Sequence, residues 1–405
     1  MLYEELYHFS NEIKVINTHA HHMKTDQFKG FNLTRLINQS YVGWIAPAIE
    51  DCPDDDWFKG ICCNSFYIWL QKGTGEVYGI DGCIDKRNYK EISDTIIRHH
   101  TDPDFHKKIL VEKCGYEAVI QDSYWEPGDH NNSPELFQPT YRVNMFFYGY
   151  SREACDHSGT NPIVLYGLEQ PADLNQYVDM VYQCIEKAKT RGCVALKCAL
   201  TYDRGYDIEL VDQGIAEKSY NRLIKGKGSS DDEKFFQDYL FCAIIRIAAD
   251  LNLPVQCHTG LSILPKSRAI LLNDIIKENP KTKFVLFHGS YPYLEDIMAL
   301  CHTYKNVYPD LCWLPLISTE AAKRFVAEIL DVTASDTLCW GCDTWTGEES
   351  MGALLAARYV LCTVLSEKVQ NGLLSKETAF QCLENILRNN AQQLYFKNPA
   401  NLYKI

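Results

Sequence analysis

His19 and His21 end the run IKVINTHAHH (13–22), two imidazoles spaced two residues apart where an apolar stretch stops. Three later apolar runs end the same way: His258 in LPVQCHTG (253–260), His288 in KFVLFHGSY (283–291) and Asp343 in TLCWGCDTW (337–345). Singly, each is weak. A buried histidine is ordinarily a core residue satisfied by hydrogen bonds, and an aspartate often caps a helix. Jointly, imidazoles and a carboxylate are the nitrogen and oxygen donors that a divalent cation takes. Lys197 in CVALKCALTY (193–202) adds a cation inside an apolar run, where an isolated ammonium is costly to bury.

The runs that carry these residues read as strands. With YEAVIQDSYW (116–125), RVNMFFYGYS (142–151) and NVYPDLCWLP (306–315) they number eight, and amphipathic segments such as 172–192, 232–252, 293–305 and 318–331 lie between them. Strand alternating with helix predicts a parallel sheet, and eight such units predict an α/β (β/α)₈ TIM barrel. Strand alternation puts Val15, Asn17, His19 and His21 on one face, and likewise Gln256 with His258, Phe284 and Leu286 with His288, Cys339 and Gly341 with Asp343, and Ala195 with Lys197. A barrel needs about 250 residues, so the excess is inserted. The helical, aromatic-rich stretch from about 23 to 112 falls after the first strand, where a lid over the site belongs. An irregular piece at 202–233 follows the fourth strand, and its GKGSS reads as a mobile loop. The whole chain, 1–405, reads as a single domain. Lid aromatics (Tyr41, Trp44, Trp57, Tyr67, Trp69) are assigned to packing, His99, His100 and His106 to solvent, and His22 to a supporting role on the face opposite His21.

At 405 residues and 46% hydrophobic the chain has ample core, and a formal charge of −13 argues against nucleic acid or an anionic membrane as partner. The seventeen cysteines are scattered, with no CxxC pair, and the acidic start shows no apolar leader. They read as reduced thiols in a cytoplasmic protein. No stretch approaches a membrane span. A homo-oligomer is compatible with the sequence.

In the order THAH, QCHTG, LFHGS and WGCDTW, the ligand-type residues resemble the metal-dependent amidohydrolase superfamily, whose pattern is HxH on strand one, His on strands five and six, and Asp on strand eight. ENILRNNAQQLY (384–395) is similar to the closing helix of the amidohydrolase-2 branch. ALKCALTYDRG (195–205) is similar to a stretch of its nodulin and FluG-type members, and the long insertion resembles that sub-branch and the uronate isomerases.

The resemblance implies one divalent metal ion held by His19, His21 and His258 with Asp343 as ligand or base. Three protein ligands and an open position suit zinc, although manganese, iron or nickel also accept such donors. It implies metal-activated water, its pKa lowered toward about 7, attacking a C–N or C–O bond of a small carboxylate-bearing substrate. Asp343 would move the proton and His288 would hydrogen-bond the reacting group. Lys197 either carries a carboxylate that bridges two metals or, as favoured here, joins Tyr202 and Arg204 in binding the substrate anion. Arg204 paired with Asp203 or Asp207 is an equal alternative. Uronate isomerase-like or decarboxylase chemistry at the same site is the second reading, and a barrel retained only as a binding module the third.

Overall fold

The computed structural model describes residues 1–49 and 51–396. Seven strands form one parallel sheet in sequence order: β1 (Val15–Ala20), β2 (Tyr116–Gln121), β3 (Phe137–Arg142), β4 (Ala195–Cys198), β5 (Val255–Cys257), β6 (Phe284–Leu286) and β7 (Val307–Pro309). Each strand is buried on both faces or nearly so, which is why the runs do not alternate cleanly between apolar and polar, and why the polar residues they hold, such as Asn17, Thr140 and Lys197, are buried too. Register sets Arg142 beside Lys197 and Lys197 beside Gln256 across β3, β4 and β5. Three polar side chains therefore share one level.

Long helices cover the sheet, among them Leu174–Thr190, Ser230–Asp250, Thr319–Val332 and Gly347–Gln370. Their apolar faces and the outward residues of the strands, such as Val15, Leu196, Phe284 and Leu286, make the main core. A second cluster, with Ile16, Ile120, Ala195, Val285, Phe287, Cys312 and Cys339, fills the inside of the curled sheet against Leu394 and Tyr395.

Three sequence expectations need correction. Strand three lies at 137–142, ahead of the expected 142–151. The latter segment turns into a 3₁₀ helix at Asn144–Tyr148. Arg142 thus ends the strand instead of starting it. The segment 337–345 is not a regular strand. Cys339 makes one bridge to Asp310, while Trp340, Asp343 and Thr344 exchange backbone hydrogen bonds with Thr18, His19 and His21. The Asn17 amide stands in for part of a ladder, accepting from the Cys342 N–H. Gly341 packs so closely that a Cβ would sit 2.7 Å from the His19 nitrogen.

Strict alternation also fails at two strand ends. Val15 faces out and Ile16 in, and shifts in the β1–β2 register between Asn17 and Ala20 accompany the inward placement of His19. In β6 the inward residues are Val285 and Phe287, not Phe284 and Leu286. His288 still reaches the interior because its backbone turns left-handed (φ 65°) as the strand ends.

Between β1 and β2 the chain forms helices Leu33–Asn38, Asp55–Ile61, Ser65–Tyr78 and Tyr89–His99, with a third apolar cluster of their own around Phe31, Leu36, Ile61, Tyr67 and Ile92. Helix Ser65–Tyr78 crosses helix Gly347–Gln370 at Gly73 and Gly352. A Cβ on either glycine would lie 2.3 Å from the other helix's backbone. Tyr67 and Trp69 are packed in core as expected, but Trp44 is 60% exposed. His100 and His106, expected at the surface, are buried. Among the described residues no helix is long and apolar enough to cross a membrane, and all seventeen cysteines are free thiols.

Candidate metal centre

His19, His21, His258, His288 and Asp343 converge at the carboxyl ends of the strands, all buried. His21 Nε2 is 2.9 Å and His19 Nε2 3.6 Å from Asp343 Oδ1, and His288 Nε2 is 3.7 Å from Asp343 Oδ2. Lys197 Nζ lies 3.3 Å from His19 Nε2, over the Phe287 ring. The Tyr202 ring is 4.5 Å from that of His258. His288, Trp313 and Asp343 all have left-handed backbones (φ 65°, 63° and 59°), a costly conformation for such residues that recurs at functional sites.

The outward nitrogen of each histidine has its proton assigned by an acceptor. His21 Nδ1 donates to the Asp122 carbonyl (2.8 Å), His258 Nε2 to the Leu261 carbonyl (3.0 Å) and His288 Nδ1 to the Cys312 carbonyl (2.8 Å). His19 Nδ1 donates to Gln256 Oε1 (3.1 Å), the Gln256 amide being oriented by its own donation to the Thr18 carbonyl and Tyr395 Oη. A neutral imidazole carries one proton. His19 Nε2, His21 Nε2, His258 Nδ1 and His288 Nε2 are therefore lone pairs, all turned toward the cluster. Two of them, on His258 and His288, stand 3.0 Å apart. Lone pairs so close to each other and to a carboxylate repel unless a proton or a cation is shared between them. Outward N–H groups tied to fixed acceptors are the usual arrangement around a ligand histidine, so the residues present fit a metal ion.

Burial, reinforced by Lys197, holds His19 well below the usual histidine range. Burial with His288 beside it does the same for His258, and burial brings His288 down to about 4. Burial also lowers Lys197. Neutral imidazoles are the ligating form.

Arg204 is not in the cluster. Its guanidinium pairs with buried Asp238 at 2.7 Å and reaches Gln237 and Asp207, close to the surface-pair alternative but with a different main partner. Another arginine is present instead. Arg142, 2% exposed, donates from Nε and Nη2 to Asp122, stacks on the Tyr124 ring at 4.1 Å and leaves Nη1 without a partner. Asp122 Oδ2 is 3.8 Å from His19 Nε2. Burial opposes its ionisation, but the Arg142 charge holds it below the usual carboxylate range. Sequence reasoning missed both residues. Asp122 follows β2 just as His21 follows β1, a signal that was open to reading, whereas Arg142 was hidden by the misplaced third strand. Tyr41 was also missed. Its hydroxyl donates to the Asp343 carbonyl at 2.7 Å, and its ring stacks on Trp313. A cavity of about 480 Å³ opens beside His21 and Asp122, walled by Tyr124, Trp125 and Trp345.

The family model described as amidohydrolase matches residues 209–397. Protein fluG of Emericella nidulans is 32% identical over 222 residues, 51% of this chain but 26% of that protein, so the chain spans about a quarter of its length. The uronate isomerase of Brucella canis is 20% identical over 367 residues, 81% of this chain and 76% of the relative. Two crystal structures share the fold. The uronate isomerase of Thermotoga maritima superposes with TM-score 0.79 at 16% identity over 98% of this chain and 97% of that one. The glucuronate isomerase of Caulobacter crescentus does so with 0.77 at 14% over 98% and 94%. The order of the ligand-type residues along the sheet, the family model matched over residues 209–397, a little under half of the chain, and these relatives agree in a likeness to the amidohydrolase superfamily.

Proposed function

We propose that the chain is a metal-dependent hydrolase built on a (β/α)₈ barrel, with residues 338–344 filling the eighth strand position and the 23–112 segment capping the site. The inward lone pairs of His19, His21 and His288 around Asp343, with that of His258 set against His288, carry the reading. His19, His21, His258 and Asp343 would hold one divalent ion, zinc by preference for its nitrogen-rich donor set. Bound there, the ion supplies Lewis acidity, lowering the pKa of water and polarising a carbonyl.

The chain's own residues do the rest. Asp343, set among His19, His21 and His288, would take a proton from the attacking water and return it to the leaving nitrogen or oxygen. His288, held by the Cys312 carbonyl, places its Nε2 against the same carboxylate and orients the reacting group. Lys197 supplies positive charge in a dry site, where it acts on developing negative charge with little screening. Arg142, with Nη1 open, replaces Arg204 as the single charged donor to a substrate carboxylate, and Tyr202 and Tyr124 wall the space. The substrate is thus a small carboxylate bearing an amide or ester-like bond.

Aldose–ketose isomerisation of a uronate at the same centre is the second reading, supported by the coverage of the uronate isomerases. One screen separates the two. The metal-replete protein is offered uronates, N-acyl amino acids, lactones and aromatic carboxylates, and products are followed by NMR. A split product with ¹⁸O taken from water is expected. A product isomeric with its substrate refutes hydrolysis and supports the second reading.

A further inference from the structure

Cys312 lies where the seventh strand's chain enters the site, and three features bear on its role. Its backbone is pinned at both ends: its N–H donates to Asp310 Oδ1 at 2.9 Å and its carbonyl accepts from His288 Nδ1 at 2.8 Å. Its ligand atom, with one from His288 and one from Asp343, belongs to a group in which all three lie within 4.8 Å of one another, every member buried. The thiols of Cys257, Cys339 and Cys342 donate to carbonyls of Val255, Thr337 and His19. The Cys312 thiol donates to none among the described residues.

We infer that Cys312 is a metal ligand, giving the chain a thiolate-bearing position, with His288 and Asp343, beside the imidazole position of His19 and His21. This rests on the metal-centre reading above and goes beyond it, since that reading uses one ion and only imidazole and carboxylate, whereas here His288 turns from orienting the reacting group to ligating a second position. The chemistry is that of a soft or borderline divalent ion. A thiolate favours zinc, cobalt or cadmium over magnesium or manganese. The thiol proton leaves to solvent as the sulfur binds, as ligand deprotonation requires. Asp343 sits between the two positions, 3.6 Å from His19 Nε2 through Oδ1 and 3.7 Å from His288 Nε2 through Oδ2.

The test uses the full chain, stripped of metal and reloaded with cobalt(II) alone. A thiolate-to-cobalt charge-transfer band in the near ultraviolet is expected in the wild type. It should be lost in Cys312→Ser and kept in Cys339→Ser, which removes another buried thiol. Zinc X-ray absorption on the unmutated protein needs no variant and should show a sulfur neighbour at about 2.3 Å. Cobalt bound with no such band, and zinc with nitrogen and oxygen neighbours only, would overturn the thiolate while leaving the histidine centre standing. No cobalt uptake at all would overturn both. A band that survives Cys312→Ser would assign the sulfur to another cysteine and overturn this one.

Discussion

His21 and His22 are adjacent in the chain and end in opposite environments. His21 joins a ring of imidazoles whose outer protons are all bound to carbonyl or amide oxygens. His22 packs against His106, with ring centroids 5.0 Å apart, next to Phe137, and neither ring nitrogen of either histidine finds a hydrogen-bond partner. Burial alone does not separate the groups, for it brings His22 down to about 3 and His288 to about 4. The difference is whether the outer nitrogen meets an acceptor. Where it does, the inner lone pair is aimed and available. Where it does not, the ring is aromatic filler at the foot of the cap.

The largest effect that can break this comparison is on metal content. His21→Ala should remove bound metal and activity together, by more than the roughly 10–100-fold typical of losing an outer hydrogen-bond partner of a ligand. His22→Ala should leave metal stoichiometry unchanged. Equal loss in both variants, read by elemental analysis, would erase the distinction.

The next effect is on the anion. Arg142 is dry, forked to Asp122 and open at Nη1, while Arg204 is committed to Asp238. Arg142→Met should raise KM for a carboxylate substrate by roughly 10–100-fold, the worth of one charged hydrogen bond in a buried site. Arg204→Met should change KM little and lower stability. The reverse ranking would restore the sequence expectation for Arg204.

How far the sequence could be read follows from the same contrast. The convergence of His19, His21, His258, His288 and Asp343 was legible because each ends its own apolar run, and the parallel sheet was legible from strand runs alternating with amphipathic segments. Strand boundaries were less legible. FQPTYR holds a proline, Gln138, Thr140 and Arg142 yet forms β3, since pairing with β2 and β4 outweighs local propensity. The facing of His19 and His288 does not follow from alternation, because a register shift and a left-handed residue decide it. The roles of Asp122 and Arg142 exist only once β2 and β3 lie side by side.

A smaller effect sharpens the filler side. Burying an unpartnered polar ring costs about 1–3 kcal/mol. Replacing His106 by Phe, which fits among Phe28, His22 and His100, should therefore leave stability unchanged or raise it within that range. Chemical denaturation reads the difference. A loss of several kcal/mol would mean that His106 has a partner the packing conceals.

An effect that shows only as a pH slope lies at the contact between the two regions. Glu349 accepts the Tyr41 N–H at 2.8 Å, Tyr41 in turn holds the Asp343 carbonyl, and Glu349 Oε2 has no partner. Burial pushes this carboxyl up to about 8. The folded chain therefore keeps a proton there that the unfolded chain releases near the ordinary glutamate value of about 4.3. The folded state binds more protons across that interval, so this group's contribution to stability falls as pH rises from about 4.3 toward 8, by at most roughly 1.4 kcal/mol per pH unit. The site histidines have the opposite sign. With His288 brought to about 4, their contribution is lost as pH falls below about 6.5. Glu349→Gln keeps a neutral acceptor and removes the proton. Subtracting its metal-free denaturation curve from that of the wild type cancels the histidines and also Asp310, whose carboxyl burial pushes up to about 7. The remaining difference should slope toward the variant with rising pH, and a flat difference would mean that Glu349 is ionised against Tyr41 throughout.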